Sequence, residues 1–150
     1  MSAFAELLRY RQEVLAAWQA QPQALARAWR ALPAGARQPE GKAFRLLAQL
    51  WWWEQQVGVP NLEALLDRRP PRFVLTPLPA AFPTPKTMLA DYRTWREAAL
   101  ARVATLDGAG WSYADRHPHF GIRTVQWWVE RSLAIGEDLL QHIPCEEDSQ

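Results

Sequence analysis

The sequence predicts an all-α fold: a four-helix bundle with one long crossover between its second and third helices. Three observations carry this expectation. Apolar residues recur at three- and four-residue spacing along four stretches, the signature of helices with one buried face. Start and stop chemistry brackets two of these stretches, with Thr84-Pro85 and Asp107-Gly108 around the third and Thr124 and Pro144 around the fourth. Between the second and third, residues 58–83 hold Pro60, Pro70, Pro71, Pro77, Pro79 and Pro83. So many prolines forbid a continuous helix and leave a link long enough to join two parallel neighbours.

The first helix is expected from Met1 to about Ala20, with Phe4, Leu7, Leu8, Val14, Leu15 and Trp18 as its apolar stripe. Arg11 falls at the centre of that stripe, either snorkelling or held as a desolvated cation by a partner. Gln21-Pro22 then breaks or kinks the helix, and a shorter segment from Pro22 to Leu32 follows. The second helix runs from about Lys42 to Val57, with Leu46, Leu47, Leu50, Trp51, Trp53 and Val57 covering about half its wheel. Glu54 points into the middle of that arc, and Gln49 lies near its edge. In the link, Asn61 caps one short helix. The third helix buries Met88, Tyr92, Trp95, Ala99, Val103 and Leu106 and lays Lys86, Arg93, Arg96, Glu97 and Arg102 along its outer side. Residues 108–121 form a loop, in which His117 and His119 serve as hydrogen-bonding anchors. The last helix buries Val125, Trp128, Ser132, Ile135, Leu139 and Ile143.

A chain of 150 residues with 49% hydrophobic and 22% charged residues is one domain's worth of ordinary globular composition. Residues 1–144 form that domain, and residues 145–150 are an acidic tail. A formal net charge of +1 argues against a nucleic-acid partner. No apolar run reaches the ~20 residues of a membrane helix, and Cys145, the only cysteine, fits a reducing cytoplasm. Nine tryptophans exceed what a core of this size readily hides, which points to a homodimer.

The HPHFG loop, the Thr-capped helix with its WVE run and DLLQ ending, and LAQLWWWE in the second helix resemble the DinB/YfiT-like family. These proteins are four-helix bundles, many of them regarded as metal-dependent enzymes and some as thiol-dependent transferases. The resemblance implies a metal-binding histidine in the second helix and a His-x-x-x-His pair in the last. This chain has Gln49 at the first position and Ile135 and Leu139 at the pair, or Ala134 and Asp138 in an alternative register. An amide and aliphatic chains are poor ligands for a transition metal, so no metal and no cofactor is expected.

His117, His119 and His142 cannot supply the missing site. The third lies at the far end of a helix about 25–30 Å long. No residue is assigned a catalytic role. Arg11, Gln49, Trp53, Glu54, Trp95, Ser132, Ile135 and Leu139 are expected to line a pocket between the helices. Arg11 and Glu54, each a lone charge on an apolar face, are expected to meet at its floor, because pairing offsets the penalty of burying either alone. Three functions stay open: binding of a small molecule in that pocket, a homodimeric interaction protein with the site filled, and an enzyme using Glu54 and Asp138 as metal ligands.

Overall fold

The computed structural model describes residues 2–39, 41–73 and 76–143. Pro144, expected to end the last helix, and the expected acidic tail with Cys145 lie outside these residues. The chain is mostly helical, with one small two-stranded sheet. No helix among the described residues is long and apolar enough to cross a membrane.

Helix α1 runs unbroken over Ala3–Ala31, capped by the Ser2 hydroxyl, which accepts from the Ala5 amide at 3.1 Å. The expected break at Pro22 does not occur. Pro22 removes one helical donor, so the Trp18 carbonyl one turn earlier loses its backbone partner. Arg96 Nη1 donates to that carbonyl instead, at 2.6 Å. The expected stripe is buried only from Arg11 onward. Phe4, Leu7 and Leu8 are exposed. The cause is length: α1 spans about 44 Å for its 29 residues, and the last helix, α6 (Val125–His142), begins level with Arg11, which bonds Gln126.

Helix α2 covers Lys42–Trp53 and continues without a stop through a π turn, Glu54–Gly58, into α3, Val59–Leu66. The second helix is therefore longer than its apolar pattern suggested. Asn61 does not cap α3 but lies inside it, buried. Its Nδ2 donates to the Val57 carbonyl at 2.8 Å, and its Oδ1 accepts from the Arg72 amide at 2.9 Å. Trp53 lies over Gly58, where an added Cβ would meet the indole at 2.5 Å. Arg68, at φ +58°, ends α3 in a left-handed cap, with the Arg69 amide bonded back to the Ala64 carbonyl. Residues 67–73 and 76–84 then hold no helix, and α4 follows over Pro85–Val103, which Thr84 caps as expected.

The expected loop over residues 108–121 is more ordered than its sequence suggested. It holds a short helix, α5 (Gly108–Ser112), and a hairpin of β1 (Ala114–His117) and β2 (Gly121–Thr124), with His117 opposite Gly121. Gly121 adopts φ +76°, which a side chain would disfavour. His117 anchors the turn as expected: its Nδ1 accepts from the amides of His119 and Phe120. His119 instead stacks on Phe73, with ring centroids 5.0 Å apart.

Helices α4 and α6 each pack against α1, α2 and α3. The apolar interior forms two clusters. One gathers Leu25, Trp29, Leu47, Leu50, Met88 and Leu139; the other gathers Val14, Val57, Leu65, Val103, Val125 and Trp128. On each of the four long helical segments a polar residue separates the two: Gln21, Glu54, Arg96 and Ser132, all buried.

Candidate functional site

The polar layer is built around Arg96. At 100° per residue its side chain points about 20° from Val103 and about 40° from Tyr92 on the wheel of α4, inside the buried stripe. It is 3% exposed, so the expectation of an outward Arg96 fails. Its Nη1 donates to the Trp18 carbonyl and, at 3.0 Å, to Gln21 Oε1. Its Nη2 donates to Tyr92 Oη at 2.5 Å and to Ser132 Oγ at 3.2 Å. The guanidinium also lies 4.8 Å from the ring centroids of both Trp18 and Tyr92.

Ser132 links this cation to Glu54. Its hydroxyl accepts from Trp18 Nε1 at 3.1 Å and from Arg96, and donates to Glu54 Oε1 at 2.8 Å. One donor and two acceptors exhaust a hydroxyl. Gln21 closes the layer: Oε1 accepts from Tyr92 Oη at 2.9 Å, and Nε2 donates to the Leu133 carbonyl at 2.9 Å. Gly136 makes room for it, since a Cβ there would fall 2.4 Å from the Gln21 amide. Burial pushes the Glu54 carboxyl up from its ordinary pKa, while Arg96 and the Ser132 hydrogen bond pull it down. Burial likewise raises the Tyr92 phenol.

Arg11 and Glu54 do not meet. Arg11 Nε donates to Gln126 Oε1 at 2.8 Å and Nη2 to Ser112 Oγ at 3.4 Å, with Trp111 5.5 Å away in a cation–π contact. The α1 residue level with Ser132 is Trp18, two turns and about 10 Å along the axis from Arg11. The partner of Glu54 is Arg96, through Ser132.

The expected pocket is three places. Arg11 sits at the α5 end of the molecule. Glu54, Trp95 and Ser132 line a cavity of 10 Å³ with Trp18, Arg96 and Trp128, a volume on the scale of one water. Gln49, Trp53, Ile135 and Leu139 line an open groove of 400 Å³ between α2 and α6, together with Leu46, Leu50, Trp52, Leu78 and Asp138. A larger groove of 690 Å³ runs between α1 and α4 past Ala16, Ala20 and Ala26. It contains none of the expected site residues, and two of its charges, Arg93 and Glu97, pair with each other at 2.9 Å.

The positions that the resemblance assigns to metal ligands thus converge in space, but their donors do not fit a metal. One amide and two aliphatic chains offer no imidazole, thiolate or carboxylate. The alternative register adds one carboxylate, Asp138. Glu54 and Asp138 line different cavities. Among the described residues no group of three or more His, Cys, Asp or Glu side chains is placed to hold a metal ion.

Reading the sequence missed Arg96, Gln21, Tyr92 and Trp18 as one network. The signal for Arg96 was its wheel angle, and that for Gln21 was its place between Trp18 and Leu25. A comparison with protein families finds no match for this chain, and a comparison with curated proteins finds none either.

Proposed function

We propose that this chain is a DinB/YfiT-like four-helix bundle, working in the cytoplasm, that binds a small molecule in the groove between α2 and α6. The observation that carries the reading is the gathering of Gln49, Trp53, Ile135 and Leu139 on one 400 Å³ groove. That volume lies in the range of small-molecule sites, and its walls are mostly apolar with few polar groups. The bundle itself is supported by the packing of α4 and α6 against α1 and α2. A crossover over residues 67–84 would make α2 and α4 the parallel pair. The interior polar layer is structural in this reading, because Arg96, Gln21, Tyr92 and Ser132 bond one another and the cavity beside them holds no more than about one water.

The test uses the neutral dye Nile red and an Ile135→Trp variant, whose added ring fills the groove. Nile red fluorescence is expected to saturate at one site per chain in the native protein and to weaken at least about ten-fold in the variant. Equal affinity in both, with the variant folded by circular dichroism, would overturn the reading.

A second reading, a homodimer, is favoured by one observation. Phe4 is 66% exposed, and Leu7, Leu8 and Tyr10 beside it are also exposed, on the overhanging turns of α1. The tryptophans no longer argue for it, since five are buried and the other four half-buried. Light scattering should give twice the chain mass, falling to one chain in Phe4→Glu/Leu7→Glu. A native mass of one chain removes this reading.

A further inference from the structure

We infer that the ligand of the α2–α6 groove is an organic monocation, an ammonium group on an apolar body; the inference rests on the groove being a ligand site. Asp138 is the one charged side chain among the described residues that line it, and the only other polar one among them is Gln49. The remaining walls are Leu46, Leu50, Leu78, Ile135 and Leu139 with the indoles of Trp52 and Trp53. One carboxylate and two indoles on the same groove are the chemistry that selects a positive, weakly hydrated group, attracted by the charge and by the ring quadrupole.

The alternatives fit less well. An anion would meet no lysine, arginine or histidine among the lining residues and would face the Asp138 carboxylate. A neutral apolar molecule would fill the groove but gain nothing from that carboxylate. A bare divalent cation would find one carboxylate and one amide, too few oxygen ligands. Trp53 is also held in place, its ring lying against Gly58, so one aromatic wall is formed before any ligand arrives. Asp138 is oriented by α6: His142, one turn on, lies 3.5 Å from its carboxylate and 2.7 Å from its carbonyl.

Three probes of one shape separate the possibilities: 3-phenylpropylammonium, 3-phenylpropan-1-ol and 3-phenylpropanoate, each competing against Nile red. The ammonium is expected to bind about five-fold tighter than the alcohol, as an exposed charge pair with an aromatic neighbour allows, and the carboxylate weakest. Asp138→Asn should bring the ammonium down to the affinity of the alcohol and leave the alcohol unchanged. Asp138 is exposed and on the outer side of α6, so the variant should fold. An ammonium no tighter than the alcohol, or unaffected by Asp138→Asn, overturns the cation inference while leaving the groove intact. Failure of all three probes and of Nile red overturns the groove reading itself, and this inference with it.

Discussion

Arg96 and Glu54 are both buried charges on apolar faces, yet their situations differ. Arg96 makes four hydrogen bonds, to the Trp18 carbonyl, Gln21, Tyr92 and Ser132. Glu54 is held by the Ser132 hydroxyl, and burial pushes its carboxyl above the ordinary range against the pull of Arg96. Arg96→Met should therefore destabilise the fold by about 3–5 kcal/mol, since it orphans several buried groups. Glu54→Leu should cost clearly less, which urea denaturation of the two variants would reveal. The pH dependence follows with a definite sign. The folded protein holds the Glu54 proton more tightly than the unfolded chain, so this group's stabilisation falls as pH rises from about 4.5 through the raised folded pKa. Native stability relative to Glu54→Gln should decline across that window; a difference independent of pH would contradict the assignment. Glu54 could be picked out from the sequence as a buried acid because it interrupts an apolar arc. Its pairing with Arg96 could not, because three helices bring Arg96, Ser132 and Trp18 together and no spacing within one helix encodes that.

At the scale of elements, two departures from regular helix explain where the sequence reading stopped short. Pro22 reads as a breaker because it removes a hydrogen bond; the helix continues because Arg96, from another helix, supplies the lost donor. The second departure is the π turn at Glu54–Gly58, which lets α2 run on into α3. There the Asn61 side chain serves the Val57 carbonyl within the helix and the Arg72 amide beyond it. Asn61→Ala would remove the buried bond to the Val57 carbonyl and the bond to the Arg72 amide, and about 1–3 kcal/mol should be lost. Hydrogen exchange should speed up at Arg72 and across α3 in that variant. Unchanged exchange there would mean that Asn61 does not hold the turn. The starts of α4 and α6 were legible, by contrast, because Thr84 and Thr124 act locally, each accepting from the amide three residues on; the expected stop at Asp107-Gly108 was not, since α4 ends at Val103 and Asp107 caps α5 instead.

Across the whole molecule, the polar layer and the groove divide the roles that the sequence assigned to one pocket. Helical periodicity placed Trp53, Ile135 and Leu139 on apolar arcs with Gln49 at an edge; that Gln49, Ile135 and Leu139 share a site was what the resemblance implied, and the groove is lined by all four. It could not separate them from Glu54 and Ser132, because depth between packed helices is a property of the assembly. The central claim is that the interior layer is structural and the outer groove binds the ligand. The most direct measurement compares the Nile red affinity of two variants, Arg96→Met/Glu54→Leu and Ile135→Trp. The first, folded and with its interior charges removed, should bind within about two-fold of the native protein, as expected for sites that share no partners. The second should lose at least about ten-fold. Loss of binding in the interior double variant, with binding retained in Ile135→Trp, would place the ligand inside the polar layer and contradict the account.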